Sequence, residues 1–272
     1  MPSFHSIEVS DPRFENEHLR QVVVKSAALG RRVDLTLFVP HSPPGTVSAL
    51  LILLHGVYGS HWSWAYRAGI HRTAQRLIDA GQIQPLVLAM PSDGLWGDGS
   101  GYVPHRNANF EEWIVTEVAL AAKEAAPCLA SEPKLFLCGF SMGGYGALRL
   151  GAKYARRWSG VSAHSSITHI SQMQRFVEEA QVNYEEQASD DDLSPLHWMK
   201  INKHALPPLR FDCGLQDDLL KGNRELHEAL LGEGIPHIYQ EFPGEHEWDY
   251  WEEHAVDTLR FVNGLLEPNR QP

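Results

Sequence analysis

Gly139, Phe140, Ser141, Met142 and Gly143 follow a short apolar run, Lys134 to Cys138, and open onto the helix-like stretch Gly143 to Leu150. A serine carried on a sharp strand-to-helix turn needs small neighbours two positions to either side, because a Cβ there would collide with the turn. Gly139 and Gly143 meet that need. The turn would lift the Ser141 hydroxyl out of the sheet with a helix N-terminus behind it, the placement of a nucleophile that attacks a carbonyl carbon. A serine hydroxyl is a weak nucleophile at neutral pH, so it requires a base and a third group that orients the base.

Both occur later in the chain, in the order Ser, Asp, His. Asp217 lies just past an apolar run ending at Cys213, in Gly214, Leu215, Gln216, Asp217, and His246 lies just past the next run, in Pro243, Gly244, Glu245, His246. Loops at the carboxyl ends of parallel strands put all three on one edge of a sheet. His227 and His254 fall inside helical patterns and do not reach that edge. Asp218 competes with Asp217 for the orienting role, and Asp217 is favoured. An oxyanion needs amide donors, which the backbone N–H groups of Met142 and Val57 would supply, Val57 within the His55 to Gly59 turn after another buried run. The His55 side chain reads as a structural hydrogen-bonder.

The elements that must hold these residues alternate. Gln21 to Lys25 and Arg32 to Pro40 read as an antiparallel edge pair, the second alternating apolar and polar as a half-buried strand does. Ala49 to Leu54 is a continuous apolar run that suits a strand covered on both faces. Helical spacing at Ile70, Ala74, Leu77 and Ile78 follows it. Pro85 to Met90 predicts a strand, Phe110 to Ala126 a helix, and Lys134 to Cys138 the strand before Ser141. Gly160 to Ala163, Pro208 to Cys213 and His237 to Phe242 complete the strands, and Trp251, Ala255, Leu259 and Val262 mark a final helix. This rhythm predicts an α/β fold with a mostly parallel sheet and helices on both faces.

Two segments break the rhythm. Residues 91–109 form a Gly-rich and aromatic connection at a strand's carboxyl end, and 165–207 would form a small cap within a single domain spanning 1–272. Trp96 and Trp198, one in each, are candidates for the substrate wall.

A chain of 272 residues with a net charge of −11 and no basic cluster is a poor partner for nucleic acid or anionic membrane. No apolar stretch reaches membrane-spanning length and the N-terminus shows no export pattern, so a cytoplasmic protein is expected. Three cysteines without CxxC spacing argue for a reducing compartment and against a disulfide framework. Fifteen histidines give no HExxH and no metal-ligand spacing, so neither metal nor cofactor is expected.

The motifs Leu54 to Gly59, Gly139 to Leu148, Cys213 to Asp217 and Gly244 to Trp248, taken together and in that order, resemble the putative-esterase (esterase D-like) family of α/β-hydrolases. The resemblance spans residues 20 to 265 and is nearest to tributyrin-type carboxylesterases. It implies an α/β-hydrolase fold, nucleophile Ser141, acid Asp217, base His246 and oxyanion amides from Val57 and Met142. It further implies a cofactor-free serine carboxylesterase that hydrolyses small-molecule esters of short to medium acyl chains through an acyl-enzyme, and it allows a homo-oligomer. The alternatives are an acyltransferase with the same triad, an S-formylglutathione or feruloyl-type esterase, and a catalytically silent binding protein on this fold.

Overall fold

The computed structural model describes residues 4–180, 182–185 and 187–267. Nine strands form its central sheet: β1 (Phe4–Val9), β2 (Leu19–Ser26), β3 (Arg32–Phe38), β4 (Val47–Leu54), β5 (Val87–Pro91), β6 (Leu129–Phe140), β7 (Gly160–His164), β8 (Leu209–Gly214) and β9 (Ile238–Phe242). Their spatial order is β1-β2-β3-β5-β4-β6-β7-β8-β9. The first three strands and the β3–β5 pair are antiparallel, and the six strands from β5 across to β9 run parallel. The central strands are apolar throughout because both faces are covered. Val47 to Leu54 is buried at every position but Ser48, and Val87 to Pro91 at every position.

The two covering layers are separate hydrophobic clusters. One face packs beneath α1 (Ile70–Asp79) and the long C-terminal helix, where Leu51, Leu53, Phe136 and Cys138 meet Ala74, Leu77, Trp251 and Leu259. The other face takes α2 (Val118–Ala125) and α3 (Met142–Lys153), with Ile52, Leu54 and Leu137 against Val118, Ala122, Leu148 and Leu150. The other α-helices longer than four residues are α4 (Pro195–Ile201), α5 (Leu220–Gly232) and α6 (Trp248–Leu266).

Three features depart from the sequence reading. The antiparallel edge has a third strand, since β1 pairs outside β2. Only Phe4 and Ile7 of β1 are even half-buried, so it lacks the apolar alternation that announces a strand. The helix expected from Phe110 to Ala126 contains a π turn at Trp113–Glu117. That turn aims the buried Glu117 carboxylate at the β2–β3 connection, where it accepts from Ser26 Oγ at 2.5 Å and from the Ala27 and Ala28 amides at 3.0 Å each. Finally, α4 lies along α3, with Met199 and Leu193 buried in the main core, and it is the stretch near 170–180 that reaches over the carboxyl edge of the sheet.

Candidate active site

The carboxyl ends of the parallel strands are level with one another. Leu54 is in register with Gly139, Phe140 with His164, His164 with Asp212, and Gly214 with Phe242. The loops that leave these ends carry His55 to Gly59, Ser141, Ser165, Asp217 and His246, so five chain segments far apart in sequence converge on one rim.

Ser141 sits at φ 55° and ψ −121°, outside the regions an ordinary L-residue favours. The surroundings over-determine that strain. Its amide donates to the His164 carbonyl at 3.0 Å, and its carbonyl accepts from Tyr145 at 3.1 Å and Ile167 at 3.2 Å. A Cβ on Gly139 would lie 2.1 Å from the Gly143 carbonyl oxygen, and one on Gly143 would lie 2.3 Å from that of Leu54. The two glycines are therefore steric requirements of the turn. Tyr58, Tyr102 and Ser165 also adopt positive φ, which concentrates strained backbone around the same rim.

His246 Nε2 lies 2.9 Å from Ser141 Oγ, and His246 Nδ1 lies 2.9 Å from Asp217 Oδ2. The other carboxylate oxygen of Asp217 accepts the Leu219 amide at 2.7 Å. Burial works against a charge on Asp217, yet the hydrogen bond and charge of His246, helped by the Leu219 amide, hold its carboxyl below the usual carboxylate range. An ionised Asp217 makes Nδ1 the donor and leaves Nε2 to accept the Ser141 proton. The acid and base loops are also tied to each other: Gln216 donates its amide to the Gly244 carbonyl at 3.0 Å, and Gly244 returns its amide to Gln216 Oε1 at 2.8 Å. Asp218 points elsewhere, with its side chain 79% exposed and 3.5 Å from Arg175.

Met142 follows Ser141 in the chain, and Val57 follows Gly56, which packs against that serine. Gly56 lets Val57 approach, since a Cβ there would meet the Phe140 ring at 2.7 Å and Ser141 Cβ at 3.3 Å. Among the described residues neither the Val57 nor the Met142 amide donates to another group of the protein. Behind them the packing is close: a Cβ on Gly99 would fall 2.4 Å from Met142 Sδ and 3.3 Å from Val57 Cγ1, and Gly101 donates its amide to that sulfur at 3.3 Å. His55 serves structure, donating from Nδ1 to the Gly56 carbonyl at 2.7 Å and accepting the Asp93 amide on Nε2 at 3.1 Å. The buried Asp93 in turn accepts the Leu95 and Ser100 amides and so anchors the 91–109 loop.

The two tryptophans are not brought together. Trp96 lies against His105, centroids 4.2 Å apart and planes tilted by 36°, and meets Tyr184 edge-on, so it packs against its own loop and that tyrosine. Trp198 donates to the Asp192 carbonyl at 3.0 Å and lies under the Lys153 ammonium, at the far end of α3 from Ser141. A helix of 12 residues spans about 18 Å, which takes Trp198 out of reach of the serine. The aromatic groups that do border the base are Phe176, stacked on the His246 ring, and Trp251, edge-on to it at 5.0 Å. Phe176 was not singled out by the sequence; it lies in the helix-like stretch from Ser171 to Ala180, just past a 3-10 turn that ends at Arg175. Among the described residues no group of three or more His, Cys, Asp or Glu is placed to hold a metal ion, and no helix is long and apolar enough to cross a membrane.

Comparisons with known proteins bear on the family and the fold. The model of the family described as "Putative esterase" matches residues 26–262. An acetyl esterase of Caldicellulosiruptor saccharolyticus is 29% identical over 234 residues, covering 80% of this chain and 84% of that protein. Among solved structures, the fluorophosphonate-binding serine hydrolase FphF of Staphylococcus aureus superposes with a TM-score of 0.78 at 19% identity, over 90% of this chain and 97% of that one. The S-formylglutathione hydrolase FrmB of the same organism gives 0.74 at 16% identity, over 95% and 99%. At such identities these two likenesses speak for the fold, an α/β-hydrolase. With the family model extending over most of the sequence, the chain belongs to the putative esterase family and is a carboxylic ester hydrolase.

Proposed function

We propose that the protein is a serine carboxylesterase working through an acyl-enzyme, with Ser141 as nucleophile, His246 as general base and acid, and Asp217 as the group that orients the imidazole. The observation that carries this reading is the unbroken line from Ser141 Oγ through His246 to Asp217, 2.9 Å at each step. His246 takes the hydroxyl proton as Ser141 attacks the ester carbonyl, and the Val57 and Met142 amides receive the negative charge that develops on its oxygen. His246 then passes the proton to the departing alcohol, and the cycle repeats with water to release the acid.

The proposed substrates carry short to medium acyl groups, acetyl foremost. The name of the C. saccharolyticus relative agrees with that preference. Three free, buried cysteines, Cys128, Cys138 and Cys213, support a reducing, cytoplasmic setting. The reading is tested by steady-state hydrolysis of p-nitrophenyl acetate. Ser141→Ala and His246→Ala should each lower kcat by about 10⁴ to 10⁶-fold with the circular dichroism spectrum unchanged. Turnover near the wild-type rate in the serine variant would refute it.

A further inference from the structure

Arg175 and Phe176 touch the three loops that carry Tyr58, Asp217 and His246. The Phe176 ring stacks on His246, centroids 5.5 Å apart and planes 21° from parallel. Its carbonyl accepts a hydrogen bond from the hydroxyl of Tyr58, the residue after Val57. Arg175 donates to the Asp218 carbonyl at 3.1 Å, on the loop that bears Asp217. Just beyond, the Glu178 amide donates to Asp98 Oδ2 at 2.9 Å and the Asp98 amide to Glu179 Oε1 at 3.0 Å. The segment is thus fastened to the Val57 loop, the acid loop and the 91–109 loop at once, with its one aromatic ring laid on the base.

The position of that ring decides which part of a substrate it meets. In ester cleavage by this constellation the carbonyl oxygen points toward the two amides, whereas the alcohol leaves past His246 Nε2, the atom that protonates it. A ring stacked on the imidazole borders the path of the alcohol and not that of the acyl chain. Trp251, edge-on to His246, is buried, so Phe176 is the half-buried, outward member of the pair. A phenyl ring has few rotatable bonds, and a carbonyl pinned by Tyr58 limits the backbone movement that would otherwise carry it aside.

Resting on the reading of Ser141 and His246 given above, we propose that Phe176, held by Tyr58, is the specificity-determining wall on the alcohol side and restricts the enzyme to esters of small or narrow alcohols. The test varies the alcohol at constant acyl group and the acyl group at constant alcohol, using ethyl, phenyl and 1-naphthyl acetates beside p-nitrophenyl acetate and butyrate. Phe176→Ala should raise kcat/KM for 1-naphthyl acetate relative to ethyl acetate about tenfold, since a few methylene-sized groups of pocket space discriminate at that level. The butyrate-to-acetate ratio should stay within about twofold of wild type. Tyr58→Phe should move the alcohol ratio the same way by less, and Phe176→Tyr should restore it. An unchanged alcohol ratio in both Phe176→Ala and Tyr58→Phe, a shift in the acyl ratio instead, or a uniform loss on every ester would each overturn the proposal. Failure of the underlying reading looks different, because the wild-type protein itself would then hydrolyse none of these esters.

Discussion

A carboxylate orients an imidazole only when it is close, shielded and unable to turn away. Asp217 meets all three conditions, with one oxygen on His246 Nδ1 and the other held by the Leu219 amide. Asp218, one residue on, is 79% exposed and faces Arg175. Asp217→Asn should therefore lower kcat on p-nitrophenyl acetate by about 10⁴-fold, because an amide in that place favours the wrong tautomer, whereas Asp218→Asn should stay within about threefold of wild type. Steady-state rates of the two variants check this, and the reverse ranking would exchange the roles. Residue chemistry at this scale was legible in the sequence wherever it is local. Gly139 and Gly143 flank a serine after an apolar run, and Asp217 and His246 each follow a strand by three or four residues. Phe176 and the tryptophans were not legible, since the side toward which a connecting segment turns depends on contacts such as Tyr58 to Phe176 and Trp198 to Asp192 that no periodicity records.

Strands position the site by register, and β7 and β8 are locked together beneath it by a buried charged network. His164 Nδ1 lies 2.8 Å from the Asp212 carboxylate, Arg210 lies 2.9 Å from it on the same strand as Asp212, and the Tyr250 hydroxyl donates to it at 2.8 Å. His164 Nε2 meets Thr258 Oγ1 at 2.8 Å, and Cys138 borders the same pocket. Desolvation disfavours the imidazolium, but the Asp212 charge outweighs it and pushes the His164 pKa up to about 9. A folded-state pKa above the unfolded value of 6.5 means that this contribution to stability is full below 6.5 and is lost as pH rises through about 9. The urea midpoint of the wild type should therefore fall across that interval more steeply than that of His164→Gln, and parallel curves would contradict a charged His164. The backbone carbonyl of His164 holds the Ser141 amide, so the strand ends and the nucleophile share this support. Elements of this kind were readable where both faces are buried, as in β4, β5 and β7. The edge strand β1 and the π turn at Trp113–Glu117 were not, the first for want of a buried face and the second because the amides that its Glu117 carboxylate accepts, those of Ala27 and Ala28, lie about ninety residues away in the chain.

At the scale of the whole molecule, six parallel strands bring segments from residue 55 to residue 246 to one rim, and the membership of the putative esterase family rests on a match, residues 26–262, that contains all of that span. The central claim is that the strained serine at this rim is acylated during turnover. Its most direct test is mass spectrometry of the protein after reaction with an alkyl fluorophosphonate, followed by peptide mapping. The account predicts one phosphonyl adduct per chain, located on Ser141, with loss of ester hydrolysis in proportion to labelling and no adduct in Ser141→Ala. Full loss of activity with the adduct on another residue, or an active protein that carries the Ser141 adduct, would contradict it.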